Sequence, residues 1–195
     1  MGKIFCIVGK SASGKDTIYK EIVKKYKDRL SNVVIYTTRP KREGEENGVD
    51  YNFVTEDELL RLEKKGLVIE KRCYNTTQGI WTYFTLDFKP RDDKDYILIN
   101  TLEGAKSISR YYGSDKVFVV YLSVDDKTRL LRYIDRESKQ KNPDYAEVCR
   151  RFIADQKDFS EENIKEIKNL HYINSGDGIE ESINQWDILF KKKGM

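Results

Sequence analysis

Near the amino terminus, Gly9-Lys10-Ser11-Ala12-Ser13-Gly14-Lys15 has the residue types and spacing needed to hold a phosphate chain. The glycines let successive backbone N–H groups turn inward around phosphate oxygens. A helix starting there adds its positive end, and Lys15 supplies a point charge to the terminal phosphates. An apolar run from Lys3 to Val8 precedes the loop. An amphipathic pattern carrying Ile18, Ile22 and Val23 follows it, which is the strand–loop–helix setting of a P-loop. The position after the lysine usually carries Ser or Thr, whose hydroxyl meets Mg²⁺. Here it is Asp16, followed by Thr17. Asp16 has two readings of equal weight: a Mg²⁺ ligand, direct or through water, or an acidic residue favoured in a helix first turn. On these residues alone, a glycine-rich turn that only caps a helix is the alternative.

A second cluster, Thr37-Thr38-Arg39-Pro40-Lys41-Arg42-Glu43-Gly44-Glu45, continues to Gly48-Val49-Asp50-Tyr51-Asn52-Phe53-Val54. Two arginines and a nearby tyrosine can clamp a dianionic phosphate through planar N–H forks and a phenol hydroxyl. A solvated charged loop is the rival reading.

Joined to the P-loop, this string closely resembles the guanylate kinase family, whose TTRxxRxGExxGxDYxFV signature is matched at every fixed position. The resemblance covers nearly the whole chain. It implies an ATP-dependent nucleoside monophosphate kinase that transfers the γ-phosphoryl group to GMP or dGMP, with Mg²⁺ as cofactor. Gly9, Ser11, Ala12, Ser13, Gly14, Lys15, Asp16, Thr17 and Asn174 would meet ATP. Arg39, Arg42 and Tyr51 would hold the acceptor phosphate, with Glu45 orienting their loop and Tyr83 as the second phosphate-binding tyrosine. Glu70 sits where the family places its guanine-reading carboxylate. Guanine alone among the common bases offers two adjacent N–H donors to one carboxylate, and charge-assisted bonds of about 1.5–3 kcal/mol each exclude adenine. Arg132 and Arg136 resemble the family's lid arginines, and Arg151 its third. With Lys15 and Arg39 they form the expected catalytic set. Where the family carries a serine near guanine O6 the chain has Ile35, and Ile99-Asn100-Thr101 replace two aspartates after the central strand.

The elements that must position these groups alternate. Strands are expected over Asn32 to Thr38, Val68 to Tyr83 (as hairpin-like strands), Tyr96 to Asn100, Val117 to Val124 and His171 to Ser175. Helices are expected over 15 onward, Thr55 to Gly66, after Asn100 to Gly113, Asp125 to about Lys141, Asp144 to about Leu170, and Gly178 to Phe190. The fold class is therefore α/β: a P-loop NTPase three-layer sandwich with a parallel central sheet. The stretch 36–90 breaks the alternation; the resemblance implies that it is a small inserted monophosphate-binding lobe, with 1–35 and 91–195 as the core and about 125–150 as a helical lid.

The 195 residues include 36 Lys and Arg against 33 Asp and Glu, a formal charge of +3. That balance excludes an acidic tail protein and argues against nucleic acid as a partner. Cys6, Cys73 and Cys149 read as reduced thiols of a cytoplasmic protein, and one histidine (His171) with no clustered cysteine speaks against a zinc site. No apolar run reaches ~18 residues, so no membrane span is expected, and the apolar start is too short for a secretory signal. Asn75-Thr76-Thr77 is a chance match to a glycosylation acceptor. A monomer or homodimer fits. A kinase for a different monophosphate is one alternative, and two other function classes stay in view. A non-catalytic guanylate-kinase-like binding module would lack the ATP machinery, which Lys15 and its flanking glycines argue against. A GTPase switch would need Asp-x-x-Gly and Asn-Lys-x-Asp, and neither occurs.

Overall fold

The computed structural model describes residues 2–76 and 79–194; Thr77, the end of the acceptor tripeptide, lies outside them. Strand β1 (Ile4–Val8) is fully buried along its length because it has a helix layer on each side. Phe5 and Ile7 point to one face, against Ile18 and Ile22 of helix α1 (Lys15–Lys25) and Trp186, Leu189 and Phe190 of helix α7 (Ile179–Lys192). Ile4, Cys6 and Val8 point to the other, against Leu102, Ala105 and Ile108 of helix α3 (Leu102–Tyr112). A strand buried on both faces reads as an unbroken apolar run, which is why its sequence does not alternate.

The central sheet is parallel. Its order is β2 (Leu30–Asn32), β7 (Asp95–Ile99), β1, β8 (Val117–Ser123), β9 (Leu170–Asn174). A second sheet has the order β4 (Asn52–Phe53), β3 (Tyr36–Thr37), β6 (Gly79–Leu86), β5 (Val68–Thr76), with β5 and β6 antiparallel. Helix α2 (Glu56–Lys64) precedes β5, and Thr55 Oγ1 caps it by accepting from the Glu58 N–H at 3.2 Å.

Two expected elements are redrawn. The strand Asn32 to Thr38 is two strands in two sheets. The Val33 N–H still donates to Ile97 O at 2.8 Å in the central sheet, whereas the Thr38 N–H donates to Thr82 O at 2.9 Å in the other. Val33 and Ile35 stay apolar because they pack on the central core while crossing between the sheets. The helix Asp144 to Leu170 is also divided, into α5 (Tyr145–Asp158) and α6 (Glu161–Lys165). Phe159 leaves the helix to stack on Tyr121 at 5.3 Å, and Ser160 Oγ caps α6 through the Asn163 N–H. Asn169, at φ 57°, then turns the chain into β9, so Leu170 is strand. Helix α4 (Asp126–Ser138) begins at its cap Asp125, whose carboxylate accepts from the Thr128 N–H at 2.8 Å.

Candidate active site

The loop between β1 and α1 wraps around its own amides. A Cβ at Gly9 would lie 2.8 Å from Ser13 Oγ and 2.9 Å from Leu122 O, so only glycine lets the turn leave the sheet. Gly14 sits at φ 87° as the α1 N-cap and offers no capping side chain, leaving the first helical N–H groups without one. Ser13 Oγ is buried without a hydrogen-bond partner among the described residues. Lys15 Nζ donates to Gly9 O at 2.6 Å and Lys10 O at 2.9 Å. Burial holds its pKa down to about 8, against the nearby carboxylates of Asp16 and Asp155 and with the cations Arg136 and Arg129 adding to the depression. These features match a cradle built for anionic oxygens.

The helical pair α4 and α5 closes over this loop through two residues that the sequence did not single out. Arg129 is fully buried. Its Nη1 donates to Asp155 Oδ2 at 2.8 Å and to Ser11 O at 3.4 Å, its Nε donates to Asp126 Oδ1 at 3.1 Å, and its guanidinium lies 4.2 Å from the Phe152 ring. Asp155 Oδ2 also accepts the Ser11 N–H at 2.8 Å. The Asp126–Arg129 spacing of i,i+3 was the one local signal; Asp155 lies on another helix.

The expected lid arginines are held by the protein itself. Arg132 donates twice to Ser175 O, at 3.3 and 3.2 Å. Arg136 lies 4.6 Å from the Tyr133 ring and is close enough to Lys15 to depress its pKa. Arg151 Nε donates to Glu147 Oε1 at 2.6 Å, and Arg150 shares that carboxylate. Both arginines together hold the Glu147 pKa down to about 2.

The second cluster is organised around Arg39. Thr37, fully buried in β3, donates through Oγ1 to Thr82 O at 2.9 Å and accepts the Arg39 N–H at 3.1 Å, which fixes where the arginine leaves the strand. Arg39 is 3% exposed. It donates to Glu45 by both Nη1 (2.9 Å) and Nη2 (2.7 Å), to Pro40 O (2.9 Å), and by Nε to the Tyr83 hydroxyl (3.0 Å). A guanidinium has five N–H groups, so one is left without a partner among the described residues. Glu45 Oε2 also accepts the Arg42 N–H at 2.8 Å, and the Arg39 fork holds the Glu45 carboxyl below its usual range. The Tyr51 and Tyr83 rings meet edge-on at 5.6 Å. Tyr51 is raised by burial first, then by the charges of Tyr83 and Asp16. Asp16 therefore lies within electrostatic reach of both Lys15 and Tyr51.

At the other end of β5, Glu70 is buried and accepts from Thr85 Oγ1 at 2.6 Å and Asn100 Nδ2 at 3.1 Å. Arg72 lies beside it and donates to Thr101 Oγ1 at 3.0 Å. Thr85 and Arg72 went unnoticed in the sequence. The i,i+2 spacing of Glu70 and Arg72 on one strand face was the available clue. Asn174 borders a cleft of about 540 Å³ with Ser123, Asp125, Thr128 and Asp177, and its Nδ2 donates to Asp177 Oδ2 at 2.7 Å. Among the described residues no group of three or more His, Cys, Asp or Glu forms a metal cluster, and no helix is long and apolar enough to cross a membrane.

Known proteins resemble this chain in sequence and fold. A guanylate kinase from Thermotoga maritima is 35% identical over 147 residues, covering 73% of this chain and 68% of that protein. One from Mycoplasma genitalium is 27% identical over 188 residues, covering 94% and 73%. The crystal structure of guanylate kinase from Anaplasma phagocytophilum superposes with a TM-score of 0.65 at 20% identity, covering 100% of this chain and 87% of that one; it shares the fold. The family model described as guanylate kinase matches residues 1–192, and the chain belongs to the guanylate kinase family.

Proposed function

We propose that the chain transfers the γ-phosphoryl group of ATP to the phosphate of GMP or dGMP, giving ADP and the nucleoside diphosphate. The observation that carries this is the pair of built sites in a chain of the guanylate kinase family: the loop from Gly9 to Lys15, with buried Ser13 Oγ unpartnered among the described residues, and Arg39 held by Glu45 and Tyr83. In this reading residues 36–90 are the acceptor lobe and about 125–150 the lid. Gly9 to Thr17 take the ATP phosphates, and Asn174 borders the adenine end. Arg39, Arg42, Tyr51 and Tyr83 hold the acceptor phosphate, and Glu70 reads the base.

A monophosphate is already a nucleophile, so the chemistry needs no general base. It needs alignment and positive charge, from Lys15 and the arginines. Arg132, Arg136 and Arg151 must leave their present partners to reach a transferring phosphoryl group. Closure of lobe and lid would keep water from competing. Mg²⁺ bound with ATP would neutralise phosphate charge. The exposed Asp16 carboxylate in the first turn of α1 is an oxygen donor suited to it. Asp16→Asn is expected to shift the Mg²⁺ concentration for half-maximal activity upward by about tenfold. An unchanged Mg²⁺ titration would return Asp16 to the role of a favourable helix-end charge.

The function itself is tested by following ADP with ATP, Mg²⁺ and a panel of monophosphates. Turnover with GMP and dGMP, and none with AMP, CMP or UMP, is expected. ADP release independent of acceptor would mark a hydrolase, and none at all a binding module.

A further inference from the structure

The two carboxylate oxygens of Glu70 have unequal surroundings. Oε1 is occupied, accepting from Thr85 Oγ1 at 2.6 Å, Asn100 Nδ2 at 3.1 Å and Arg72 Nη2 at 3.4 Å. Oε2 is buried with no aligned donor, although Arg72 Nε lies 3.0 Å away; Nε likewise has no aligned acceptor. Arg72 is fixed from its far side by Thr101, which takes Nη1 at 3.0 Å and is itself held at the start of α3 by the Gly104 N–H at 3.2 Å. The result is one open acceptor beside one incompletely used donor edge, with both side chains largely withdrawn from solvent. The two groups pair charge to charge at 3.0 Å, but the N–H is not aimed at the oxygen, so each keeps hydrogen-bonding capacity that a ligand can use.

A 6-oxopurine presents the complementary pair, an N1–H donor adjacent to the O6 acceptor. Adenine presents the opposite order, an N1 acceptor beside an N6 amino donor. We propose that Arg72 is a specificity-determining residue, donating to O6 of the acceptor base while Glu70 Oε2 accepts from N1–H. The proposal rests on the reading above that the acceptor is a guanine nucleotide, and it adds a consequence. Because Oε1 is already taken, the 2-amino group contributes less than O6 does. Inosine monophosphate, which keeps O6 and N1–H, is then a substrate, and AMP is not.

The test pairs a change in the enzyme with a change in the substrate. 6-Thio-GMP keeps both N–H donors but places sulfur, a weak acceptor, at position 6. The wild-type protein is expected to use GMP at least about tenfold better than 6-thio-GMP in kcat/KM. Arg72→Met should lower kcat/KM for GMP by about ten- to a hundredfold, through KM for the monophosphate. It should also bring the GMP to 6-thio-GMP ratio to within about twofold and leave KM for ATP unchanged. Arg72→Lys, which keeps a donor, should recover part of the ratio, and it serves where the methionine variant fails to fold. If the ratio persists in both variants, Arg72 only balances the Glu70 charge and the proposal is overturned. Failure of the wild-type protein to turn over any 6-oxopurine monophosphate would instead overturn the reading of the acceptor, before any variant is made.

Discussion

Lys15→Met is expected to slow turnover by about a thousandfold while the protein remains folded. The lysine is the positive group held inside the cradle, and removing one preorganised charge or donor from a site of developing negative charge costs about 10²–10³ in kcat. The same change should leave Tm equal or higher. Burial holds Lys15 at about 8, below the ordinary lysine value, so protonation is harder in the folded protein than in the unfolded chain. Between pH 8 and the unfolded value, the unfolded chain binds more protons and stability rises with pH; below 8 the full penalty stands. A phosphate chain reverses the penalty by pairing with the ammonium group. ATP binding above pH 8 should therefore take up a proton, and KM for ATP should rise as pH climbs through 8. In Lys15→Met both effects should vanish. Calorimetry in buffers of different ionisation enthalpy reads the proton count, and no uptake in the wild-type protein would show that Lys15 is not the group meeting the phosphates.

Arg39→Met is expected to move stability the other way. Its guanidinium makes four hydrogen bonds in a nearly closed pocket, and without it the Glu45 carboxylate keeps the Arg42 N–H but loses its charged partner, while Tyr83 loses a donor. Removing one member of a buried pair costs about 3–5 kcal/mol; with Glu45 partly open to solvent, the low end applies. Tm should fall by about 6–10 °C. For activity, kcat/KM for the monophosphate should fall by about a thousandfold with KM for ATP within about twofold. Paired steady-state titrations and thermal melts decide it. An equal loss for both substrates would mean that the clamp does not belong to the acceptor side alone.

The two loops proposed to hold phosphate were readable as structural units because each is local. Gly9 to Lys15 and Thr37 to Val54 are short strings in which the residue that binds and the residue that shapes its backbone are near neighbours. Thr37 fixes Arg39 from two residues away, and Glu45 holds it from six. The unbroken apolar run of β1 likewise announced a strand covered on both faces. What escaped depends on partners distant in the chain. Nothing local tells Asn32 that it pairs with Ile97 or Tyr36 that it pairs with Phe84, so an unbroken apolar stretch concealed a change of sheet. The end of α5 was hidden for a similar reason. Phe159 leaves the helix for Tyr121, on a strand formed nearly forty positions earlier. Arg129 and Asp155 looked like two more charges on solvated helices, yet one is fully buried and the other joins it to the Ser11 backbone.

That last contact changes how binding must proceed. The Ser11 amide already bonds to the Asp155 carboxylate, so a phosphate oxygen claiming the same N–H has to displace it, one anion departing as another arrives. Arg129, which steadies Asp155, would be released toward the newcomer, and α5 would feel the exchange directly. By reciprocity, whatever keeps that carboxylate docked weakens the nucleotide's hold to the same degree. Occupancy of the loop and the posture of the helix above it are then a single equilibrium viewed from two ends.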